Sequence, residues 1–448
     1  MNFVDLTDPR TGQVRNRLSC GGPAEVSAAV AAARAAAPGW ASLTAKERSH
    51  RLLALVALIE QHLGEYVHAE IAGTGKSPAD ARAEVLNSAD VLRFYAGAVR
   101  ADLTPAAGQL LPGRESWVRW EPLGVVAAIV PWNYPLLMAA WRLGPALAAG
   151  NAVVLKPAET TPDTAVLLAS HAASALGAGV LVALPGDRET GRLLVGAQVD
   201  AVAFTGSQAG GLDVVARAGL RRVSLELGGN CAAVVLPDAP DDTYDALVGA
   251  CTYNAGQSCA APARVITLRS HLDETVARLA AAMRARRAGP DFGPLNNPSQ
   301  VARFDAIVSS SAAQALHRGD VAVGSGEDGG FWRPGLILAD LPADDPAVTG
   351  EMFGPALTVQ AADDLDGVVA LANSVPQALA ASVWGTAVGP SLRLAQQLDC
   401  GEVWVNCHLE QTAELPHGGR RGSGHGTDLS VLALTEYQRP KTVTVRLD

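Results

Sequence analysis

The chain has 448 residues, of which 48% are apolar and 18% charged, and a formal net charge of -10. That length exceeds what one hydrophobic core fills and predicts two or three domains, while the acidic balance excludes a nucleic-acid or anionic-membrane partner, which would need a basic face. The opening Met1-Asn2-Phe3-Val4-Asp5 lacks a secretory signal pattern, and the longest apolar runs are strand-length, so no membrane partner is expected. Cys20, Cys231, Cys251, Cys259, Cys400 and Cys407 are scattered, with no CxxC and no His-rich cluster at metal-ligand spacing. This predicts free thiols in a reducing, cytoplasmic setting and no metal.

In chain order, residues 1–20 read as an edge hairpin around Asp8-Pro9-Arg10-Thr11-Gly12. Helices are expected from Pro23 through an Ala-rich run to 37, over 45–73, and over 78–101. From Pro122 the pattern changes to short apolar strands at 125–130, 152–156, 180–184, 201–204 and 223–226, separated by helices. Strands buried on both faces with helical crossovers predict a parallel nucleotide-binding α/β sheet. A second α/β block starts near Cys231, with strands at 232–236, 263–268, 336–338, 357–360 and 402–406, and the tail 442–447 alternates as a strand.

One stretch, Gly324-Ser325-Gly326-Glu327-Asp328-Gly329, fits the dinucleotide fingerprint. Pro334 follows where a helix would have to run, and two carboxylates would repel a pyrophosphate, so it reads as a surface turn. A better phosphate site is Phe204-Thr205-Gly206-Ser207, closing a buried strand and opening a helix whose free N–H groups offer positive charge. Taken alone it also reads as an ordinary turn with an N-cap serine.

Three further segments carry chemistry. Asn254-Ala255-Gly256-Gln257-Ser258-Cys259 sets a cysteine among small and polar neighbours, whereas Cys231 and Cys251 read as buried structural thiols. Glu226-Leu227-Gly228-Gly229 ends a strand with a carboxylate that is either solvated or, if buried, a general base. Pro131-Trp132-Asn133-Tyr134-Pro135-Leu136 is a turn stiffened by two prolines that would aim the Asn133 amide as an oxyanion donor, or a plain turn asparagine.

Together with Lys156-Pro157-Ala158-Glu159, Glu351-Met352-Phe353-Gly354-Pro355, Trp404-Val405-Asn406, Pro416-His417-Gly418-Gly419 and Ser423-Gly424, these motifs stand in the order of the aldehyde dehydrogenase superfamily, which the chain resembles nearly end to end. The resemblance implies an α/β, three-part subunit. Residues 1–103 and 123–230 would form a Rossmann-like NAD-binding domain, 231–424 the α/β catalytic domain, and 104–122 with 425–448 a β oligomerisation arm giving a homodimer or homotetramer. It implies Cys259 as nucleophile, Asn133 with the Cys259 backbone N–H as oxyanion hole, and Glu226 as activator of the deacylating water. Lys156 and Glu159 would hold the adenosine ribose, Trp132, Gly206 and Ser207 would flank the pyrophosphate, and Glu351 and Phe353 would contact the nicotinamide half. A carboxylate at Glu159 would repel a 2′-phosphate, which favours NAD over NADP.

The stretches Tyr95-Ala96-Gly97-Ala98, Pro135 to Trp141 and Pro416-His417-Gly418-Gly419 resemble the aminobutyraldehyde and betaine aldehyde branch, which takes cationic substrates. Ser258 and Asn87 depart from the acids expected there. Glu410 is a replacement carboxylate on this reading, with Tyr134 and Trp141 as an aromatic wall for cation–π contact. The alternatives are an uncharged aromatic or aliphatic aldehyde, CoA instead of water as acyl acceptor (which Glu226 argues against), and a silent nucleotide-binding scaffold.

Overall fold

The computed structural model describes residues 2–101, 107–313 and 315–447. The expected junction at 103/104 and the first residues of the predicted arm, 104–106, lie outside them.

Two sheets organise the molecule. The first contains Gly424–His425, Arg222–Leu227, Ala201–Gly206, Val125–Ile129, Ala152–Lys156 and Leu181–Ala183 in that spatial order, parallel except for the first strand. Val125–Ile129 and Ala152–Lys156 are buried throughout, which is why their sequence is apolar without alternation. The chain winds outward from Val125–Ile129 to Leu181–Ala183, then returns to the other side of Val125–Ile129 with Ala201–Gly206. This reversal makes a crevice at the carboxyl ends of the two strands, the place where such sheets bind ligands. Pro131-Trp132-Asn133 and Gly206-Ser207 flank it.

The second sheet has seven strands, in the order Ala315–Arg318, Leu336–Ala339, Ala356–Ala362, Pro262–Leu268, Cys231–Val235, Ala380–Trp384 and Glu402–Val405. All its pairings are parallel except that of Ala315–Arg318. Cores lie on both faces of each sheet. A third sheet pairs Gly108–Leu111 and Gln438–Arg446 with opposite edges of Arg114–Pro122, leaving Leu110 and Leu111 exposed.

The helical region runs to Ala41 rather than 37 in its first helix and ends at Ala98 rather than 101 in its last, and it differs most between them. Residues 45–73 form two helices, Ala45–Gln61 and Leu63–Thr74, because His62 leaves helical geometry at φ -102°, ψ 24° and caps both. Thr44 and Glu47 close a reciprocal cap at the start of the first. The helix Pro135–Ala148 is buried at every residue but Leu137, consistent with its apolar composition all round. The fingerprint-like loop 324–329 is a turn: Glu327 accepts from the Gly324 N–H and pairs with Arg10 at 2.7 Å, tying the loop to the N-terminal hairpin.

Candidate active site

The turn bearing Asn133 is set from below by buried charge. Carboxylates of Glu70 and Glu84 accept the backbone N–H groups of Leu136, at 3.1 Å, and Leu137, at 3.4 Å, where the helix Pro135–Ala148 begins. Lys76 pairs with Glu84 and lies 4.3 Å from the centre of the Tyr134 ring. Burial lifts both carboxyls above their ordinary range. The Asn133 side-chain amide donates to the Gln257 carbonyl at 3.0 Å, and the Asn254 amide donates to the Asn133 carbonyl at 2.9 Å. The two turns are thereby locked face to face.

The approach to Cys259 is strained. Asn254, Ala255 and Gly256 hold φ of 48°, 54° and 72° in succession, which for the first two costs on the order of 1–3 kcal/mol each. Gln257 braces the loop: its backbone and side-chain N–H groups both reach Asn254 O, and its side-chain carbonyl accepts from Asn296 N–H at 2.8 Å. Cys259 follows in a half-buried turn, and its backbone N–H donates to no group among the described residues. His408, with Nδ1 on Ser382 at 2.8 Å and Nε2 on the Ala260 carbonyl at 2.8 Å, pins the exit; burial brings its pKa down to about 4.

Glu226 is buried on the strand Arg222–Leu227, and neither carboxylate oxygen finds a hydrogen-bond partner among the described residues. Its neighbours explain the two glycines that follow. A Cβ at Gly228 would stand 2.2 Å from the Glu351 carboxylate, and one at Gly229 would stand 2.0 Å from the Cys259 carbonyl. One carboxylate oxygen of Glu226, the Cys259 sulfur and a ring nitrogen of His417 lie within 4.8 Å of one another. Burial, with the Glu226 carboxylate alongside, pushes the Cys259 thiol well above its ordinary pKa. Burial also pushes Glu351 up to about 7.

Cys259 stands where two cavities meet. One is lined by Trp132, Asn133, Gly206, Ser207, Glu226, Glu351 and Phe353. It runs into a groove, sharing Trp132, Gly206 and Ser207, whose far end holds Lys156 and Glu159. Ser207 caps the helix Gln208–Ala218 through the Gly210 N–H, and the Trp132 and Phe353 rings meet edge-on with centroids 5.5 Å apart. The other cavity reaches Cys259 past Tyr134, Trp141, Tyr253 and Ser258, with Asn87 and Asp90 at its exposed end.

The structure thus places Cys259, Glu226, Asn133, Trp132, Gly206, Ser207, Glu351 and Phe353 on one cavity, Lys156 and Glu159 at the far end of the adjoining groove, and Tyr134 and Trp141 on the second cavity. Glu410 is placed otherwise. Its side chain is exposed and does not line the second cavity, because its backbone carbonyl is held by the Trp404 indole at 2.9 Å. Sequence reasoning missed Asp90, which shares a helix face with Asn87 at a spacing of three residues, and Tyr253, which stacks on Tyr134 with centroids 6.2 Å apart.

The sequence profile of the aldehyde dehydrogenase family matches residues 2–443. The chain belongs to that family. Among solved structures it is similar to gamma-glutamyl-gamma-aminobutyraldehyde dehydrogenase from Burkholderia cenocepacia, at 36% identity and TM-score 0.93 over 100% of this chain and 94% of that one. It is similar to a point mutant of betaine aldehyde dehydrogenase from Staphylococcus aureus in complex with NAD+, at 27% identity and TM-score 0.94 over 100% and 94%. A mutant indole-3-acetaldehyde dehydrogenase from P. syringae, in complex with NAD+, matches at 31% identity and TM-score 0.94 over 99% and 93%.

Proposed function

We propose that this chain oxidises an aldehyde to the carboxylic acid through a thioester on Cys259, with NAD as the cofactor. The observation that carries the reading is the position of Cys259 at the junction of two cavities, one shaped for a dinucleotide and one open to a substrate. The dinucleotide fits the residues present. The helix terminus at Gly206-Ser207 offers N–H groups to a pyrophosphate, and Lys156 and Glu159 face the groove where a ribose would lie. Bound there, NAD supplies a hydride acceptor beside Glu351 and Phe353. NAD is preferred to NADP on this reading, because Glu159 repels a 2′-phosphate and the nearby Arg192 and Arg217 are already paired with Asp213 at 2.9 and 3.0 Å.

The chain's own groups account for the rest. The Cys259 sulfur attacks the carbonyl carbon, and the developing oxyanion is held by the Asn133 amide, which has a second N–H beyond the one given to Gln257, and by the free Cys259 backbone N–H. After oxidation, Glu226 takes a proton from the water that attacks the thioester, and the thiol leaves as the acid departs. Glu226 suits this step because, among the described residues, only the Cys259 thiol approaches its buried oxygens. Asn133→Ala should lower turnover about 10²-fold or more, with the rate of Cys259 alkylation little changed. Near-normal turnover in that variant contradicts the oxyanion role.

The substrate on this reading is an aminoaldehyde. Asp90 supplies the anionic mouth and Tyr134, Trp141 and Tyr253 an aromatic wall. The Arg93 guanidinium, 3.4 Å from Asp90, competes for that carboxylate and gives the uncharged-aldehyde reading its footing. A rate survey of ω-amino, aliphatic and aromatic aldehydes at fixed NAD decides between them. Asp90→Asn should raise KM for the amino compounds about tenfold, a loss of roughly 1.4 kcal/mol, and leave hexanal unaffected. Equal KM changes for both classes, or no preference in the parent enzyme, contradict the aminoaldehyde reading.

The division into domains 1–103 with 123–230, 231–424, and the arm 104–122 with 425–448 belongs to the same proposal. So does the homodimer or homotetramer, supported by the exposed Leu110, Leu111 and Val445 on the three-stranded sheet. A cytoplasmic setting agrees with six cysteines that are all free. Among the described residues no helix is long and apolar enough to cross a membrane.

A further inference from the structure

The reaction above leaves one proton without a carrier. Cys259 must lose its thiol proton to attack, yet burial and the adjacent Glu226 carboxylate both oppose a free thiolate. If Glu226 kept that proton, it would be neutral and unable to activate water in the next step.

A second base stands within reach. His417 is 1% exposed and clamped by its own backbone, which exchanges hydrogen bonds with Asp428 at 2.8 and 2.7 Å. Its ring meets Trp141 edge-on, with centroids 5.1 Å apart. Nδ1 lies 3.0 Å from a Glu402 carboxylate oxygen, and the Gln411 amide also donates to that oxygen at 3.3 Å. Gln411 Nε2 also lies 3.0 Å from Nδ1. The tautomer with its hydrogen on Nδ1 donates to Glu402 and leaves a lone pair on Nε2. Nε2 is buried without a hydrogen-bond partner among the described residues, and it is the nitrogen left to face the cluster with Cys259 and Glu226. A carboxylate, an imidazole and a thiol in this sequence form the arrangement by which an orienting acid and a base activate a nucleophile.

We propose that His417, oriented by Glu402, is the base that removes the Cys259 proton during acylation. The S–H bond breaks with its proton moving to Nε2, and the sulfur electron pair forms the S–C bond. The carbonyl π pair moves to the oxygen held by Asn133. Once the hydride has left and the oxyanion has collapsed to the thioester, the imidazolium gives its proton to solvent, and this is the proton that aldehyde oxidation liberates. Glu226 is thereby left free of that proton for the hydrolytic step. Divided labour of this kind explains why a buried carboxylate and a buried imidazole nitrogen both stand beside one sulfur.

The charged surroundings favour this role. Burial penalises an imidazolium at His417, but the Glu402 hydrogen bond and the carboxylates of Glu226, Glu402 and Asp428 outweigh it and raise its pKa. Arg142, paired with Asp428 at 2.9 Å, is the opposing cation on the packed helix.

The inference rests on Cys259 being the nucleophile, and the test separates the two. Alkylation of Cys259 by iodoacetamide without aldehyde, and the pre-steady-state burst of NADH with aldehyde, are followed against pH for the parent enzyme, His417→Phe, His417→Gln and Glu402→Gln. Both His417 variants should lose about 10²-fold in burst rate and alkylation at pH 7, while hydrolysis of a preformed acyl-enzyme changes less than about twofold. Glu402→Gln should move the acid limb of both profiles to lower pH, because losing the carboxylate lowers the imidazole pKa. Superimposable profiles overturn the proposal, and so does an equal loss of acylation and hydrolysis, which is what a merely structural histidine would give. If Cys259→Ala still oxidises aldehyde, it is the nucleophile assignment that fails.

Discussion

Replacing Cys259 by alanine should abolish aldehyde oxidation, with a fall in kcat on the order of 10⁴-fold or more, as expected when the attacking atom itself is removed. The substitution is structurally mild. The strained turn before Cys259 is held by Gln257, Asn254 and Asn133 rather than by the sulfur. The dinucleotide groove, anchored by Lys156, Glu159 and the Ser207 cap, does not involve the sulfur. NAD affinity, read by calorimetry, should therefore stay within about twofold of the parent while NADH formation disappears. Residual turnover above about a tenth of the parent would remove the thioester from the reaction.

Glu226→Gln should produce the second large effect, of a different shape. Acylation survives and hydrolysis slows about 10²- to 10⁴-fold, so that a rapid burst of one NADH per subunit precedes a slow steady state. Among the described residues neither carboxylate oxygen is held by a neighbour other than the Cys259 thiol, so the amide disturbs little of the fold. Because Glu226 is one of the groups holding the Cys259 thiol pKa up, its neutralisation should also shift thiol alkylation toward lower pH. A burst that vanishes along with turnover, measured by stopped flow, would show that Glu226 serves the attack rather than the release. That outcome would also move the first proton transfer away from His417.

Much of this architecture could be read from residue order because the chemistry sits at strand ends. Strands buried on both faces, such as Val125–Ile129 and Ala152–Lys156, announce themselves as continuous apolar runs, and the turns that follow them carry Asn133 and Glu159. The strand Ala380–Trp384 escaped, although it is an interior strand of the second sheet beside the edge strand Glu402–Val405, because its Ala380-Ala381 start suits a helix as well as a strand. The break at His62 also escaped, since apolar spacing continues through it.

Side-chain direction was less legible than position. Glu410 belongs to the loop next to the site, yet the Trp404 indole takes its backbone carbonyl and its side chain is exposed. Asp90 enters the cavity lining through helical phase alone, three residues beyond Asn87. His417 was visible only as part of a motif. Its pairing with Glu402 spans 15 residues and its approach to Cys259 and Glu226 spans much more of the chain, distances that only the tertiary fold closes. Cys259 and Glu226 were found through their flanking glycines, and the structure supplies the reason those glycines are needed: two carbonyl or carboxylate groups occupy the space their side chains would fill.

The most direct test of a covalent thioester on Cys259 is the mass of the protein during turnover. Glu226→Gln mixed with NAD and excess aldehyde, quenched in acid within the burst, should gain one acyl group per chain, located by peptide mapping on Cys259 and absent from Glu226→Gln carrying Cys259→Ala. A full burst of NADH with no added mass, or an acyl group on Cys407 or any other residue in place of Cys259, would contradict it.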